Sequence, residues 1–177
     1  MTARRLDAGG VVDRGRPVPF RWDGKALTGL AGDSLASALM AAGETVVGRG
    51  FKYHRPRGIM SAGVEEGGAV VSVGSGAKRV ANVKAPCVEL VEGLEAFGQN
   101  AWPSVRFDLG RVNDLLSRFF AAGFYYKTFF GVSGRGTWEW MQFEKLIRRA
   151  AGMGAAARAP DPDWYETVHD FCDLLVV

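Results

Sequence analysis

The pattern of hydrophobic and polar positions predicts a β-hairpin near the start of the chain. Apolar side chains alternate with polar or proline positions at Val18, Phe20 and Trp22. The dipeptide Asp23-Gly24 then supplies residues typical of a tight turn, and a second strand over 26–30 runs back along the first.

After the hairpin the apolar period changes from two residues to about 3.6, which predicts a helix. The helix begins at Asp33 or Ser34, either of which can cap its first turn, and it ends at Gly43. Small side chains on the buried stripe let the helix lie close to a sheet. The stripe consists of Leu35, Ala38, Leu39 and Ala42.

Further strands are predicted at 69–73, 87–91 and 94–97. A hairpin, a helix, a long loop and returning strands make an α+β fold of the β-grasp type, which ubiquitin-like proteins and plant-type ferredoxins share. We place this domain at 17–98, after a mobile polar lead at 1–16.

The next segment, 99–170, is predicted to be a helical extension rich in aromatic residues. Asn113 caps a short helix, and a second helix runs from Trp140 to about Gly152. Between them the sequence GFYYKTFFG forms either a second local core or an interface with another domain or subunit. The candidate interface residues are Phe124, Tyr125, Tyr126, Lys127, Phe129 and Phe130.

The end of the chain predicts a helix followed by a buried strand. The helix begins at Asp161 with Pro162 at its first position, and the apolar run at 174–177 is typical of a parallel strand. Such a run, within 171–177, often opens a dinucleotide-binding domain. No glycine-rich phosphate loop occurs in the chain, so nucleotide binding is not predicted for these residues.

Composition narrows the classes of function. The 177 residues are 47% hydrophobic and 23% charged, as in a folded globular protein. A net charge of +3 is small beside the basic surfaces of nucleic-acid-binding proteins, and no apolar run approaches a membrane span of roughly 20 residues. We expect a cytoplasmic protein with no nucleic-acid or membrane partner. Cys87 and Cys172 have no metal-ligand spacing and are predicted to be buried thiols.

The segment GRGFKYHRPRG, residues 48–58, concentrates basic side chains without an acidic one. Its candidate binding residues are Arg49, Lys52, His54, Arg55 and Arg57. Their alternation with rings and proline predicts an extended segment with charges and rings on different sides. The arginines either pair with Glu65, Glu66 or a partner's carboxylates, or they bind a phosphate or face a flavin at a subunit boundary. No catalytic residue is predicted, and His169 is expected at a surface or interface.

Five sequence blocks indicate a family. They are GDSLASALMAAG, VVGRGFKYHRPRGIMSAGVEE, VELVEGLEAFGQNAWPSVRFDLGRVNDLLSRFF, AAGFYYKTFF, and IRRAAGMG followed by DPDWYETVHDFCDLLVV. In this order they closely resemble the N-terminal region of the alpha subunit of heterotetrameric sarcosine oxidases. The resemblance runs from about Arg14 to Val177 and implies a cytosolic flavoenzyme of four different subunits.

The resemblance also implies a reaction for the complex: oxidative demethylation of sarcosine to glycine, with hydrogen peroxide and formaldehyde or methylene-tetrahydrofolate as products. FAD, FMN, NAD and tetrahydrofolate belong to the complex, and this chain alone is expected to bind no cofactor. Its partners are the beta subunit and the rest of alpha. The chain then corresponds to the leading piece of alpha, from a split gene or a shortened chain, and works as a noncatalytic scaffold.

In that family the N-terminal region resembles a 2Fe-2S ferredoxin domain without a cluster. Each iron of such a cluster needs two thiolates. The loop that corresponds to the cluster loop, GIMSAGVEEGGAV, offers Ser61, Glu65 and Glu66 but no thiol, and only Cys87 lies near a ligand position. We therefore expect no metal site. The alternatives are an iron–sulfur electron-transfer subunit of cyanide-synthase or opine-oxidase type, and a free-standing binding module.

Overall fold

The computed structural model describes residues 5–119, 140–145 and 154–176. Its central unit is a five-stranded mixed sheet with a helix packed against it. The strands are β1 (Asp13–Trp22), β2 (Lys25–Ala31), β5 (Val70–Val73), β6 (Val80–Lys84) and β7 (Glu95–Gly98), and a second, two-stranded sheet consists of β3 (Gly48–Arg49) and β4 (Pro56–Arg57). The helices of this part of the chain are α1 (Leu35–Ala41) and α2 (Val112–Leu115), and residues 140–145 are also helical.

The predicted hairpin is present and forms one side of the large sheet. β1 directs Val18, Phe20 and Trp22 into the core and leaves the alternate positions exposed. Asp23 and Gly24 have φ angles of 46° and 79°, as a two-residue hairpin turn requires. The strand order is β2-β1-β7-β5-β6, with β1 and β7 parallel at the centre. This arrangement agrees with the predicted β-grasp class.

The predicted first helix is also present, and a serine caps it. The Ser34 hydroxyl accepts the backbone N–H of Ser37 at 3.2 Å. Ala38 packs against Gly29 of β2, where an added Cβ would lie 2.9 Å from the Ala38 Cβ. Small residues therefore let α1 approach the sheet closely. The buried hydrophobic residues of this core are Val18, Phe20, Trp22, Leu35, Ala36, Ala38, Leu39, Val47, Ala69, Val71, Ala85, Leu90 and Ala96.

The strand predicted at 87–91 is not found. The chain there forms a 3-10 turn at Ala85–Cys87 and an isolated bridge at Glu89. Pro86 has no N–H to donate to a ladder, which disfavours a regular strand. The edge of the sheet is instead β6, which the apolar pattern missed because its side chains are exposed or half-buried.

The first part of the predicted extension, 99–119, forms turns and a short helix. Asp108, and not Asn113, caps the structure: its carboxylate accepts the N–H of Gly110 at 3.0 Å at the start of a 3-10 turn, Leu109–Arg111. α2 follows this turn directly, so the helix begins before Asn113. None of the helices within the described ranges is long and apolar enough to cross a membrane.

Two predictions fall wholly or partly outside the described residues. Residues 140–145 are helical, in agreement with part of the predicted second helix, while the rest of that helix lies outside the described ranges. The candidate interface residues also lie outside these ranges. They are Phe124, Tyr125, Tyr126, Lys127, Phe129 and Phe130.

Residues 154–176 contain neither the helix predicted from Asp161 nor the described part of the strand predicted at 174–177. Asp161 accepts the N–H of Asp163 at 3.0 Å, which is the contact of a helix cap, but no helix follows. A short helix is marginal in water unless its apolar face packs, and the side chains of Trp164 and Phe171 are exposed. A strand likewise needs a neighbour to accept its hydrogen bonds.

The described part of the predicted lead is attached to the domain. β1 begins at Asp13, within the lead, and the Arg5 guanidinium donates to both carboxylate oxygens of Asp33, at 3.0 and 2.6 Å. Asp33 is buried, so a two-bond ion pair here is stronger than a surface contact. Arg5 thus fastens the lead to the turn before α1.

Candidate functional site

Residues 48–58 form a hairpin in which a tight turn at 50–55 joins the short strands β3 and β4, and not the extended segment that the alternation predicted. Inside the turn, Gly50 donates its N–H to the Arg55 carbonyl at 2.8 Å, and His54 donates its N–H to the Gly50 carbonyl at 3.0 Å. His54 has a φ angle of 53°, in the left-handed region. The turn therefore gives neighbouring basic side chains different surroundings. We call residues 48–58 the basic loop.

Arg49 of the basic loop binds backbone carbonyls of the same chain. Its guanidinium donates to the carbonyls of Val105 at 2.8 Å, His54 at 3.3 Å and Arg106 at 3.3 Å. Its own carbonyl accepts the side-chain amide of Asn100 at 2.9 Å. These contacts join the loop to residues that follow it by about fifty positions, so Arg49 holds residues 100–106 against the domain.

His54 and Asp108 form a buried pair. The His54 Nδ1 lies 2.7 Å from one carboxylate oxygen of Asp108. The other oxygen accepts the backbone N–H of Trp102 and of Gly110, both at 3.0 Å. Gly110 packs on the imidazole so closely that an added Cβ would lie 2.2 Å from Nδ1. The Asp108 carboxylate therefore connects the basic loop to both ends of the segment 102–110.

The remaining basic side chains face solvent to a larger extent. Arg55 forms an ion pair with Asp114 at 2.8 Å, on the surface. Arg55 and Lys52 both lie over the Tyr53 ring, 4.8 and 5.0 Å from its centroid. Arg57 is exposed, and its guanidinium makes no hydrogen bond or ion pair with any residue in the described ranges. A phosphate at the basic loop would therefore contact mainly the side chains of Lys52, Arg55 and Arg57.

Asp108 and Asp114 are acidic partners of the basic loop, whereas the sequence interpretation offered Glu65, Glu66 or a partner's carboxylates. Asp108 has a local sequence signal, because an Asp two residues before a Gly is typical of a capped turn. Its pairing with His54, 54 residues earlier, has no such signal. The basic loop thus connects the domain to residues 100–114, largely through contacts that no local sequence pattern indicates.

Glu66 has a different role from the arginine-paired one predicted for it. Its side chain is buried, with 1% of the residue exposed, and it accepts four backbone N–H groups. One oxygen accepts from Met60 and Ser61, both at 2.7 Å, and the other from Gly68 at 2.5 Å and Ala69 at 3.0 Å. Burial alone would raise the pKa of Glu66, but the four donors outweigh it and lower the pKa to about 2.

This lowered pKa predicts that Glu66 stabilises the fold less in acid. A carboxylate with a folded-state pKa below its usual 4.5 contributes stability that is complete above about pH 5 and is lost as the pH falls toward about 2. Asp33 and Glu44 also have lowered pKa values, since ion pairs with Arg5 and with Lys25 and Arg106 outweigh the opposing effect of burial.

The difference between wild type and Glu66→Gln isolates the contribution of Glu66. Urea unfolding should give a difference in unfolding free energy that is constant above about pH 5 and shrinks as the pH falls from about 5 to about 3. A difference that stays constant between about pH 5 and pH 3 would contradict the assigned protonation behaviour.

Comparison with known proteins first defines a class of domain. Residues 15–101 match the model of the 2Fe-2S iron-sulfur cluster binding domain family. Over its whole length the chain is 52% identical to the sarcosine oxidase subunit alpha of Rhizobium meliloti (strain 1021), covering 100% of this chain and 18% of that protein. The resemblance to sarcosine oxidase alpha subunits is therefore confirmed.

Two further matches are shorter. The sarcosine oxidase subunit alpha of Corynebacterium sp. (strain P-1) is 47% identical over 62 residues, which are 35% of this chain and 6% of that protein. The crystal structure of L-proline dehydrogenase from P. horikoshii overlaps 49% of this chain and 16% of that chain, with 23% identity and a TM-score of 0.41. The chain thus spans about a fifth or less of the length of the sarcosine oxidase alpha subunits that it matches.

The cysteine residues do not fit the cluster that the domain family is named for. A 2Fe-2S cluster takes four protein ligands, normally thiolates. The chain has two cysteines, and only Cys87 lies within 15–101. Within the described ranges no group of three or more His, Cys, Asp or Glu residues is placed to hold a metal. Cys87 and Cys172 are both exposed, so the prediction of buried thiols is wrong.

Proposed function

We propose that the chain is the N-terminal, noncatalytic part of a sarcosine oxidase alpha-type subunit in a cytoplasmic flavoenzyme complex. The complex converts sarcosine, oxygen and water to glycine, formaldehyde and hydrogen peroxide, or delivers the methylene group to tetrahydrofolate. FAD, FMN and NAD are bound by the remainder of the complex. The single observation that carries this proposal is the 52% identity to a sarcosine oxidase alpha subunit along the entire chain.

The role of the chain in this proposal is to dock onto the beta subunit and the rest of alpha. Residues 102–116 support it, because they expose apolar side chains that a solvent-facing surface would not normally group together. We call this the 102–116 surface. Its exposed apolar residues are Trp102, Phe107, Leu109, Val112, Leu115 and Leu116.

The basic loop supports the same role. Arg49 and His54 fasten the loop to residues 100–110, so the 102–116 surface is held in a fixed position on the domain. Arg57, Arg55 and Lys52 lie near one another in sequence on the outer turn, where a flavin or another phosphate of the complex would meet them. The loop is thus a support for the docking surface and a secondary candidate for phosphate contact.

An iron–sulfur electron-transfer subunit is the second candidate, since the matched domain family is described as 2Fe-2S cluster binding. Two cysteines in the whole chain are too few for four thiolate ligands, which favours the scaffold.

Sedimentation velocity of the chain with and without the beta subunit of its complex tests the proposed docking. We expect one faster-moving species in the mixture, with the chain and the beta subunit in equal amounts. A chain that sediments as a monomer in both samples, at concentrations up to about 10 µM, would contradict stable docking.

A further inference from the structure

A carboxylate joins the two ends of the loop between β4 and β5. The donors to Glu66 come in two pairs, Met60 and Ser61 near the start of the loop and Gly68 and Ala69 at its end. Each pair points to a different oxygen, so the carboxylate spans the gap between them. The twelve-residue loop closes around one buried negative charge.

The backbone around the Glu66 carboxylate packs so closely that Gly68 has no room for a side chain. An added Cβ on Gly68 would lie 2.5 Å from the Gly58 carbonyl oxygen and 3.2 Å from a Glu66 carboxylate oxygen. Ala69, the last donor, in turn accepts the N–H of Ala85 at 2.9 Å through its carbonyl. The carboxylate therefore sets the position at which the chain enters the sheet.

Converging backbone N–H groups form the concave anion sites known as nests, which proteins use to bind phosphates and iron–sulfur clusters. We propose that residues 58–69 are such an anion-binding nest, filled from within by the carboxylate of Glu66. In a domain of the 2Fe-2S family that lacks the thiolates for a cluster, this side chain supplies the negative charge around which the loop folds. The nest is specific for a small carboxylate, because two pairs of donors meet two oxygens.

If the nest requires a carboxylate, a neutral side chain of the same size should not replace Glu66. Glu66→Gln keeps the size of the side chain but replaces one acceptor oxygen by an NH₂ group, which then faces two N–H donors. Glu66→Ala removes a CH₂–COO⁻ group, which free acetate matches in size and charge. Neighbouring Glu65 is exposed and serves as the matched control position.

The test is amide hydrogen exchange by NMR on the full 177-residue chain. We expect Glu66→Gln to speed exchange at two or more of the four donor amides by at least about ten-fold, while Glu65→Gln leaves them unchanged. In Glu66→Ala, sodium acetate should restore protection at these amides, and sodium chloride at equal ionic strength should not. If Glu66→Ala folds only with an additive, acetate-dependent folding gives the same answer.

Two results would overturn the proposal: wild-type exchange at all four amides in Glu66→Gln, or no difference between acetate and chloride in Glu66→Ala. Neither result depends on the sarcosine oxidase assignment, since the measurement uses the chain alone.

Discussion

Replacing Asp108 by alanine is expected to lower the free energy of unfolding by about 3 kcal/mol. The substitution removes a buried carboxylate and leaves the His54 ring and the N–H groups of Trp102 and Gly110 without their acceptor. A buried donor without a partner costs about 1–3 kcal/mol, and water entering the site offsets part of the sum. Urea unfolding followed by circular dichroism measures the change.

Asp114→Ala is the control for this prediction. Asp114 also forms an ion pair with the basic loop, but the Arg55–Asp114 pair is on the surface, where such pairs contribute about 0.5 kcal/mol or less. A loss for Asp108→Ala as small as that for Asp114→Ala would show that the buried pair does not hold the loop and the extension together.

The second large effect is expected in assembly. Replacing Phe107 and Leu115 by serine should weaken binding to the beta subunit by at least about 30-fold, because both side chains project from the 102–116 surface with 65% and 82% of their area exposed. Stability of the isolated chain should change little, since neither side chain belongs to the core. Sedimentation at a series of concentrations measures the affinity.

A matched pair of substitutions at another exposed location makes the test specific. Val64 and Val91 are also exposed apolar residues, and they lie outside the 102–116 surface. The Val64→Ser, Val91→Ser variant should bind like wild type. An equal loss of binding in both double variants would contradict the choice of surface. Wild-type binding by both double variants would also contradict it.

Sequence patterns predicted the parts of the fold that depend on neighbouring residues. The β1–β2 hairpin follows from the alternation at Val18, Phe20 and Trp22, and the start of α1 follows from a serine cap before an apolar stripe. β6 was missed because an edge strand needs no apolar alternation, and the strand at 87–91 was wrong because Pro86 interrupts the backbone ladder.

The polar contacts of the site were less accessible to sequence reasoning. From the sequence, Glu66 is one of two adjacent acids with no sign of burial, whereas in the structure it accepts four backbone N–H groups. His54 and Asp108 form a pair although 54 positions separate them. These contacts depend on the path of the loops, which has no periodic signature. The helix expected from Asp161 shows the opposite case, in which a sound local pattern does not form a helix without a packed apolar face.

Glu66 and the cysteine count together support the proposed structural role of a domain that matches a cluster-binding family. The buried carboxylate gives the loop a negative centre, and the covalent positions that would anchor iron are absent from residues 15–101 except at Cys87. In the proposed complex, the fold contributes its shape and the 102–116 surface contributes the contact.

The central claim, a cluster-binding fold that works without a cluster, is tested most directly by anaerobic reconstitution. The purified full chain is incubated with ferrous iron, sulfide and a thiol reductant, desalted, and assayed for iron and acid-labile sulfide. Our account predicts neither at a stoichiometric level and no absorption of an iron–sulfur chromophore. About two iron and two sulfide per chain, with that absorption, would contradict it.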